Sequence, residues 1–146
     1  ENVFDLYCGT GTIGLALAPD AGSVWGLEIS EEAVACAIEN AELNGIKNAR
    51  LQAARVESAL PRLLGESGAP AAVIVDPPRA GLSESVLRLL THKTIARLVY
   101  VSCSPPTFAR DAGFLARCGY TLRHVQPVDL FPQTSHCELV GLFTRD

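Results

Sequence analysis

Short apolar or β-branched runs alternate with stretches of helical period along the whole chain, and this alternation predicts a mostly parallel sheet with helices on both faces. Seven strand-like runs fall at residues 2–6, 23–28, 49–53, 71–75, 98–102, 121–129 and 138–144. Helical periodicity fills the gaps at 11–18, 30–44, 58–64, 83–90 and 107–118. Ser30 reads as an N-cap, Glu31 and Glu32 complement the helix dipole behind it, and Val34, Ile38 and Ala41 form the predicted buried face before Asn44-Gly45 stops the helix. The unbroken apolar run 71–75 is what a central strand buried on both faces requires. The last two strands, joined by residues 130–137, predict an antiparallel hairpin on the sheet edge.

Composition narrows this picture to a single domain spanning residues 1–146. A chain of 146 residues that is 48% hydrophobic and 19% charged, with a mean hydropathy of +0.21, fills one core and leaves no room for a second. Its net charge of −4 and isoelectric point near 5.3 make it a poor trap for phosphate backbones, so a nucleic-acid partner has to be held locally or by other parts of a longer protein. The first strand begins at once and no methionine occurs, as expected of a piece of such a protein. Five cysteines, odd in number and without a Cys-x-x-Cys pair, predict free thiols, with neither a disulfide framework nor a bound metal. That suits a reducing, cytoplasmic-type compartment, with a mitochondrial or nuclear location left open. No run approaches the roughly eighteen apolar residues of a membrane span, so no membrane partner is expected. A monomer is expected.

Chemistry gathers where strands end. Asp5-x-x-x-Gly9-x-Gly11 follows a strand and opens a helix, which lets backbone N–H groups approach a ligand, and Glu28 at the end of the next strand can accept from ribose hydroxyls. A ligand-free strand-to-helix turn is the plainer reading, but the acid at the second strand end favours a nucleotide-like site. With Gly14 set outside the pattern, the turn favours S-adenosylmethionine over a nicotinamide dinucleotide. Asp76-Pro77-Pro78-Arg79 leaves the central strand on a backbone stiffened by two prolines, which aims a carboxylate into the crevice rather than making a mere helix-entry turn.

Cys103 ends a strand and precedes a helix, in Ser102-Cys103-Ser104-Pro105-Pro106, where the prolines interrupt regular structure. Most free cysteines are core thiols, and Cys8, Cys36 and Cys118 take that reading. A nucleophilic Cys103 needs a helix N-terminus or a nearby cation, for which Arg79 and Arg110 are the candidates. Glu138 follows a loop rich in polar and rigid residues and is either a general base in the crevice or an exposed acid on an edge strand. His136 reads as a hydrogen-bonding loop residue.

Four linked stretches carry a family resemblance. Phe4-Asp5-Leu6-Tyr7-Cys8-Gly9-Thr10-Gly11, Asp76-Pro77-Pro78-Arg79-Ala80-Gly81-Leu82, Tyr100-Val101-Ser102-Cys103 with Thr107-x-Ala109-Arg110-Asp111, and the run from Val128 to Glu138 resemble the RNA (uracil-5-)-methyltransferases, which make 5-methyluridine in tRNA or rRNA. The resemblance covers essentially the whole chain. It implies a Rossmann-like, S-adenosylmethionine-dependent class I methyltransferase fold with RNA as partner, and an N-terminal RNA-binding portion outside this chain. It further implies Cys103 as nucleophile and Glu138 as base, Asp76 and Arg79 at the uracil, and Tyr7, Gly9, Gly11, Thr12, Glu28, Arg55 and Asp76 around the methyl donor. Where the family commonly has Ser-Cys-Asn-Pro, this chain has Ser-Cys-Ser-Pro, with Ser104 at the variable position. The rival expectations are an N-methyltransferase with Cys103 passive and a non-catalytic cofactor-binding or interaction domain.

Overall fold

A computed structural model describes residues 1–92, 94–130, 132–134 and 136–145. Five strands and five helices alternate before two closing strands: β1 (Asn2–Leu6), α1 (Thr12–Leu17), a 3₁₀ turn (Ala18–Asp20), β2 (Ser23–Glu28), α2 (Glu31–Leu43), β3 (Ala49–Ala53), α3 (Val56–Ser67), β4 (Ala72–Val75), α4 (Glu84–Leu90), β5 (Arg97–Ser102), α5 (Pro105–Arg117), β6 (Thr121–Val128) and β7 (Glu138–Thr144). One seven-stranded sheet runs in the order β3-β2-β1-β4-β5-β7-β6, with β7 antiparallel to both neighbours. The strand order reverses between β1 and β4, and that switch point opens a crevice at the carboxyl ends of the strands.

The centre of the sheet is β1 and β4, where Phe4, Leu6, Val73 and Val75 are fully buried. Apolar residues of α3, α4 and α5, including Leu60, Leu90 and Leu115, join them in one continuous core. Leu15, Val34, Ala37 and Ala41 from α1 and α2 are buried outside that cluster, as a sheet covered on both faces demands. Ser30 caps α2 by accepting from the Ala33 N–H at 3.2 Å. No helix among the described residues is long and apolar enough to cross a membrane.

Several expectations need correction. The closing strands do form an antiparallel pair, but β7 is inserted between β5 and β6, so only β6 is an edge and Glu138 cannot be an edge-strand acid. The buried face of α2 is Val34, Ala37 and Ala41, whereas Ile38 is 45% exposed and Cys36 lies on the exposed side, not in the core. Three-residue spacing from Val34 to Ala37 carries the stripe, and the small alanines let α2 sit close to the sheet. Pro105 and Pro106 do not interrupt structure; they form the first turn of α5, where the missing N–H groups have no helical partner to lose. Gly14 belongs to the glycine pattern after all, from within α1. It completes Gly9-x-Gly11-x-x-Gly14, and a Cβ there would sit 2.7 Å from Asp5 Oδ2 and 3.0 Å from Val24 Cγ1, so it lets α1 pack on β1 and β2. Glycine spacing therefore does not separate one nucleotide cofactor from another in this chain. Phe131 and Ser135, within the fourth resemblance motif, lie outside the described residues.

Candidate active site

Two adjoining cavities occupy the carboxyl-end crevice. The first, about 430 Å³, sits at the switch point between the ends of β1, β2, β3 and β4. Tyr7, Glu28, Arg55 and Asp76 all line it, as their sequence positions predict, and Ile29, Val56, Pro77 and Pro78 give it apolar walls. Tyr7 adopts φ +65°, a left-handed conformation that costs a bulky residue on the order of 1–2 kcal/mol, and donates its N–H to the Leu27 carbonyl at 2.8 Å. Burial, helped by the nearby Glu57 carboxylate, pushes its phenol up to about 12, so it stays neutral.

Glu28 is the organising acid of this pocket. Its Oε2 accepts from the Gly9 N–H at 3.1 Å, and its Oε1 accepts from Ile29 and Ser30 at 2.8 and 3.0 Å. One lone pair remains on Oε2, which leaves it a capacity to accept from a ligand hydroxyl. The two glycine N–H groups of the turn are already spent: Gly9 donates to Glu28, and Gly11 donates to the Cys8 carbonyl at 2.8 Å. What Gly9 offers a ligand is open space, with φ +53° and nothing within 4 Å of where a Cβ would lie. Thr12 is not brought into this pocket; it lines a separate groove with Thr10, Leu15 and Asn40. Cys8 is buried beneath the turn, and desolvation together with Asp5 and Glu28 pushes its thiol up to about 12, which makes it inert.

The second cavity, about 380 Å³, is lined by Arg79, Cys103, His136 and Glu138. Strand direction explains the meeting. Ser102 at the end of β5 pairs with Leu139 of antiparallel β7, so one step forward on β5 and one step back on β7 bring Cys103 and Glu138 abreast at the mouth of the crevice. Ser102 Oγ accepts from the Ser104 N–H at 3.1 Å, which turns the chain sharply after Cys103 and directly into α5. Arg79 Nη2 donates to Nδ1 of His136 at 2.8 Å; because a guanidinium only donates, the imidazole proton there resides on Nε2. Arg110, the other candidate cation for Cys103, is engaged elsewhere, with Nε 2.8 Å from Asp111 Oδ1. Asp76 joins the two cavities electrostatically. It stays open to solvent, yet the crevice walls desolvate its carboxylate, and Glu138 across from it adds like-charge repulsion, so its pKa is raised.

Sequence reasoning missed Ile29, Val56 and Glu57 as pocket residues. Ile29 carries a usable signal: an isoleucine directly after a strand-ending acid and before an N-cap serine, and 63% exposed here, has no structural reason to be apolar. Val56 and Glu57 carry none, because the link from β3 to α3 has no distinctive turn chemistry.

The sheet order and the switch-point crevice define a methyltransferase-type α/β domain. The same fold occurs in precorrin-6y C5,15-methyltransferase of Geobacter metallireducens, with a TM-score of 0.79 at 14% identity over 99% of this chain and 80% of that one. Within that class, the family model described as tRNA (uracil-5-)-methyltransferase matches residues 1–146, and the chain belongs to this family. An uncharacterized RNA methyltransferase of Enterococcus faecalis is 50% identical over 145 residues, covering 99% of this chain and 32% of the relative. A solved structure of the Pyrococcus abyssi tRNA (uracil-54, C5)-methyltransferase in complex with S-adenosyl-L-homocysteine superposes with a TM-score of 0.86 at 35% identity, over 99% of this chain and 34% of that one. The chain thus spans about a third of the length of these relatives.

Proposed function

We propose that the protein carrying this domain methylates carbon 5 of a uridine in tRNA or rRNA, with S-adenosylmethionine as donor and Cys103 as covalent catalyst. The observation that carries the reading is the shared cavity of Cys103 and Glu138, brought together by the reversal of β7 beside the switch-point pocket. The pocket fits the donor chemically. Its carboxylates Glu28, Glu57 and Asp76 complement a sulfonium and an ammonium group, Glu28 keeps an acceptor site for a ribose hydroxyl, and Ile29 and Val56 present apolar surface to an adenine. Arg55 lines the same pocket, Gly9 keeps the turn clear of a side chain, and Gly11 makes room for Leu15 and Ala37 behind it. When bound, the donor would supply an electrophilic methyl group to carbon 5 and leave as a neutral thioether that keeps the electron pair of the broken sulfur–methyl bond.

Carbon 5 of uracil is a weak nucleophile, and the chain's residues remedy that. The Cys103 thiolate adds to carbon 6; the carbon 5–carbon 6 π pair shifts between carbons 4 and 5 as the carbonyl π pair moves onto the carbon-4 oxygen, and the resulting enolate makes carbon 5 nucleophilic. Arg79, which lines the cavity of Cys103, supplies positive charge for that oxygen. Once carbon 5 carries both its hydrogen and a methyl group, Glu138 removes the proton, the electron pair restores the double bond, and the carbon 6–sulfur bond breaks to free Cys103. A target uridine in folded RNA has to be unstacked first, a task for basic surface beyond this acidic domain. A reduced Cys103 suits a cytoplasmic protein.

The test uses the full-length protein with RNA containing 5-fluorouridine, whose fluorine blocks the last proton removal. Wild type should form a covalent RNA adduct dependent on the methyl donor, and Cys103→Ala should lose both adduct and methylation of ordinary RNA. Glu138→Gln should still attach to ordinary RNA but release it slowly. Methylation that survives in Cys103→Ala would transfer the reading to a nitrogen methyltransferase with a passive thiol.

A further inference from the structure

Helix α5 starts two residues after Cys103, and three side chains in its first two turns reach back to the segment that carries Arg79. Thr107 Oγ1 donates to the Arg79 carbonyl at 3.2 Å. Arg110 Nη2 donates to the carbonyls of Ala80 and Leu82 at 3.0 and 3.2 Å. Asp111 Oδ2 accepts from the Leu82 N–H at 2.9 Å. Asp111 has no solvent exposure, and its remaining capacity is filled by the Tyr100 hydroxyl at 2.7 Å and by Nε and Nη2 of Arg110, each 2.8 Å from Oδ1. Tyr100 is fully buried on β5, three residues before Cys103. Gly81 closes the arrangement: at φ +77°, a Cβ there would lie 2.7 Å from both Arg110 Nη2 and Asp111 Oδ2.

We propose that Asp111 is a positioning residue for Arg79, clamping residues 79–82 to the strand and helix that carry Cys103 so that one guanidinium is fixed beside one sulfur. The clamp unites two of the four sequence motifs, and no part of it touches the crevice except through Arg79. A fully satisfied buried carboxylate is a rigid anchor, since moving any partner strands a desolvated charge. From that anchor Arg79 extends into the cavity of Cys103 and ends on His136. The inference rests on the proposed role of Cys103 only in its kinetic arm. Its first arm reads the placement of charge without any reaction on RNA.

That arm compares alkylation of Cys103 by anionic iodoacetate and by neutral iodoacetamide in the full-length protein, with peptide mass spectrometry separating Cys103 from the other four thiols. A cation held at the sulfur favours the anionic reagent, so Arg79→Gln should lower the ratio of the two rates by about five-fold. Gly81→Ala and Asp111→Asn should lower it in the same direction, and adding either to Arg79→Gln should change nothing more. If Asp111→Asn does not fold, Gly81→Ala decides alone, because it leaves the buried carboxylate chemically intact and its folding can be checked by circular dichroism. A ratio that falls in Arg79→Gln but holds in a folded Gly81→Ala overturns the proposal, as does a ratio indifferent to Arg79. In the kinetic arm, Gly81→Ala should lower kcat for RNA methylation at least about ten-fold with the KM for the methyl donor unchanged. If wild type fails to methylate uridine at all, the functional reading falls and the alkylation ratio still settles the role of Asp111.

Discussion

Asp5 should make this domain more stable as the solution becomes mildly acidic, against the usual trend for carboxylates. The side chain is 1% exposed; Oδ2 accepts from the Gly14 N–H at 2.8 Å, while Oδ1 has no partner among the described residues. Desolvation, only partly offset by the Gly14 hydrogen bond and reinforced by Asp76, raises its pKa from 3.8 to about 6. A folded-state pKa above the unfolded one favours folding fully below pH 3.8, and that contribution is lost as pH rises through 6. The whole shift corresponds to about 3 kcal/mol, of which about 2 kcal/mol is regained between pH 7.5 and 4.5. Asp5→Asn keeps an acceptor for Gly14 but cannot ionise. Urea unfolding of both proteins at the two pH values gives a double difference in which the other carboxylates cancel. Wild type should gain about 2 kcal/mol on Asp5→Asn in going to pH 4.5. A double difference within about 0.5 kcal/mol of zero, or of opposite sign, would show that Asp5 is not held in the desolvated state its surroundings impose.

Three further changes probe the frame around the site. Gly14→Ala forces a methyl group against Asp5 Oδ2 and Val24, and should lower stability by about 1–3 kcal/mol, read as a lower urea midpoint with unchanged slope. The Tyr120 hydroxyl lies 2.8 and 2.7 Å from the buried carbonyls of Leu90 and Ile95, so Tyr120→Phe should cost about 1–2 kcal/mol by thermal unfolding; a neutral result would mean water reaches those carbonyls. Glu28→Ala leaves three backbone N–H groups without their acceptor and takes a carboxylate from the pocket. Calorimetry on the full-length protein should show S-adenosylhomocysteine binding weakened at least about ten-fold, and an unchanged affinity would remove Glu28 from the proposed donor site.

Much of the fold is legible because its elements carry their own local reasons. The run 71–75 is apolar without alternation and becomes a central strand; Ser30 with Glu31 and Glu32 announces the start of α2, and the cap is present. Local signals failed where a longer-range contact decides. Ile38 has the right spacing from Val34 to be buried, yet the sheet selects Ala37, because close approach of α2 needs a small side chain and no helical period encodes that distance. The insertion of β7 is likewise silent in the sequence, since the runs at 121–129 and 138–144 look the same whichever of them pairs with β5. At the site, strand-ending acids and Cys103 stand out because polar groups at the end of an apolar run invite a chemical explanation. Asp111 does not stand out: an Arg-Asp pair on a helix is ordinary, and its meaning comes only from Leu82 and Tyr100 arriving from elsewhere.

The reversal of β7 also explains why nucleophile and proposed base can be so far apart in sequence and still meet. Seven strand residues rise about 23 Å. Had the last strand entered between β5 and β6 in the parallel sense, its first residue would lie at the opposite rim of the sheet, roughly that far from Cys103. Running antiparallel, β7 begins where β5 ends, and Glu138 arrives at the crevice with its backbone already held by pairing to Val128 and its neighbour Leu139 held by Ser102. The approach segment then serves the same cavity, because His136 must precede Glu138 there and meets Arg79 on the way in. Strand β6 is left as the edge, exposed along nearly its whole length. Placing β6 inside instead would have covered it but put Val128, not Glu138, beside the sulfur-bearing turn.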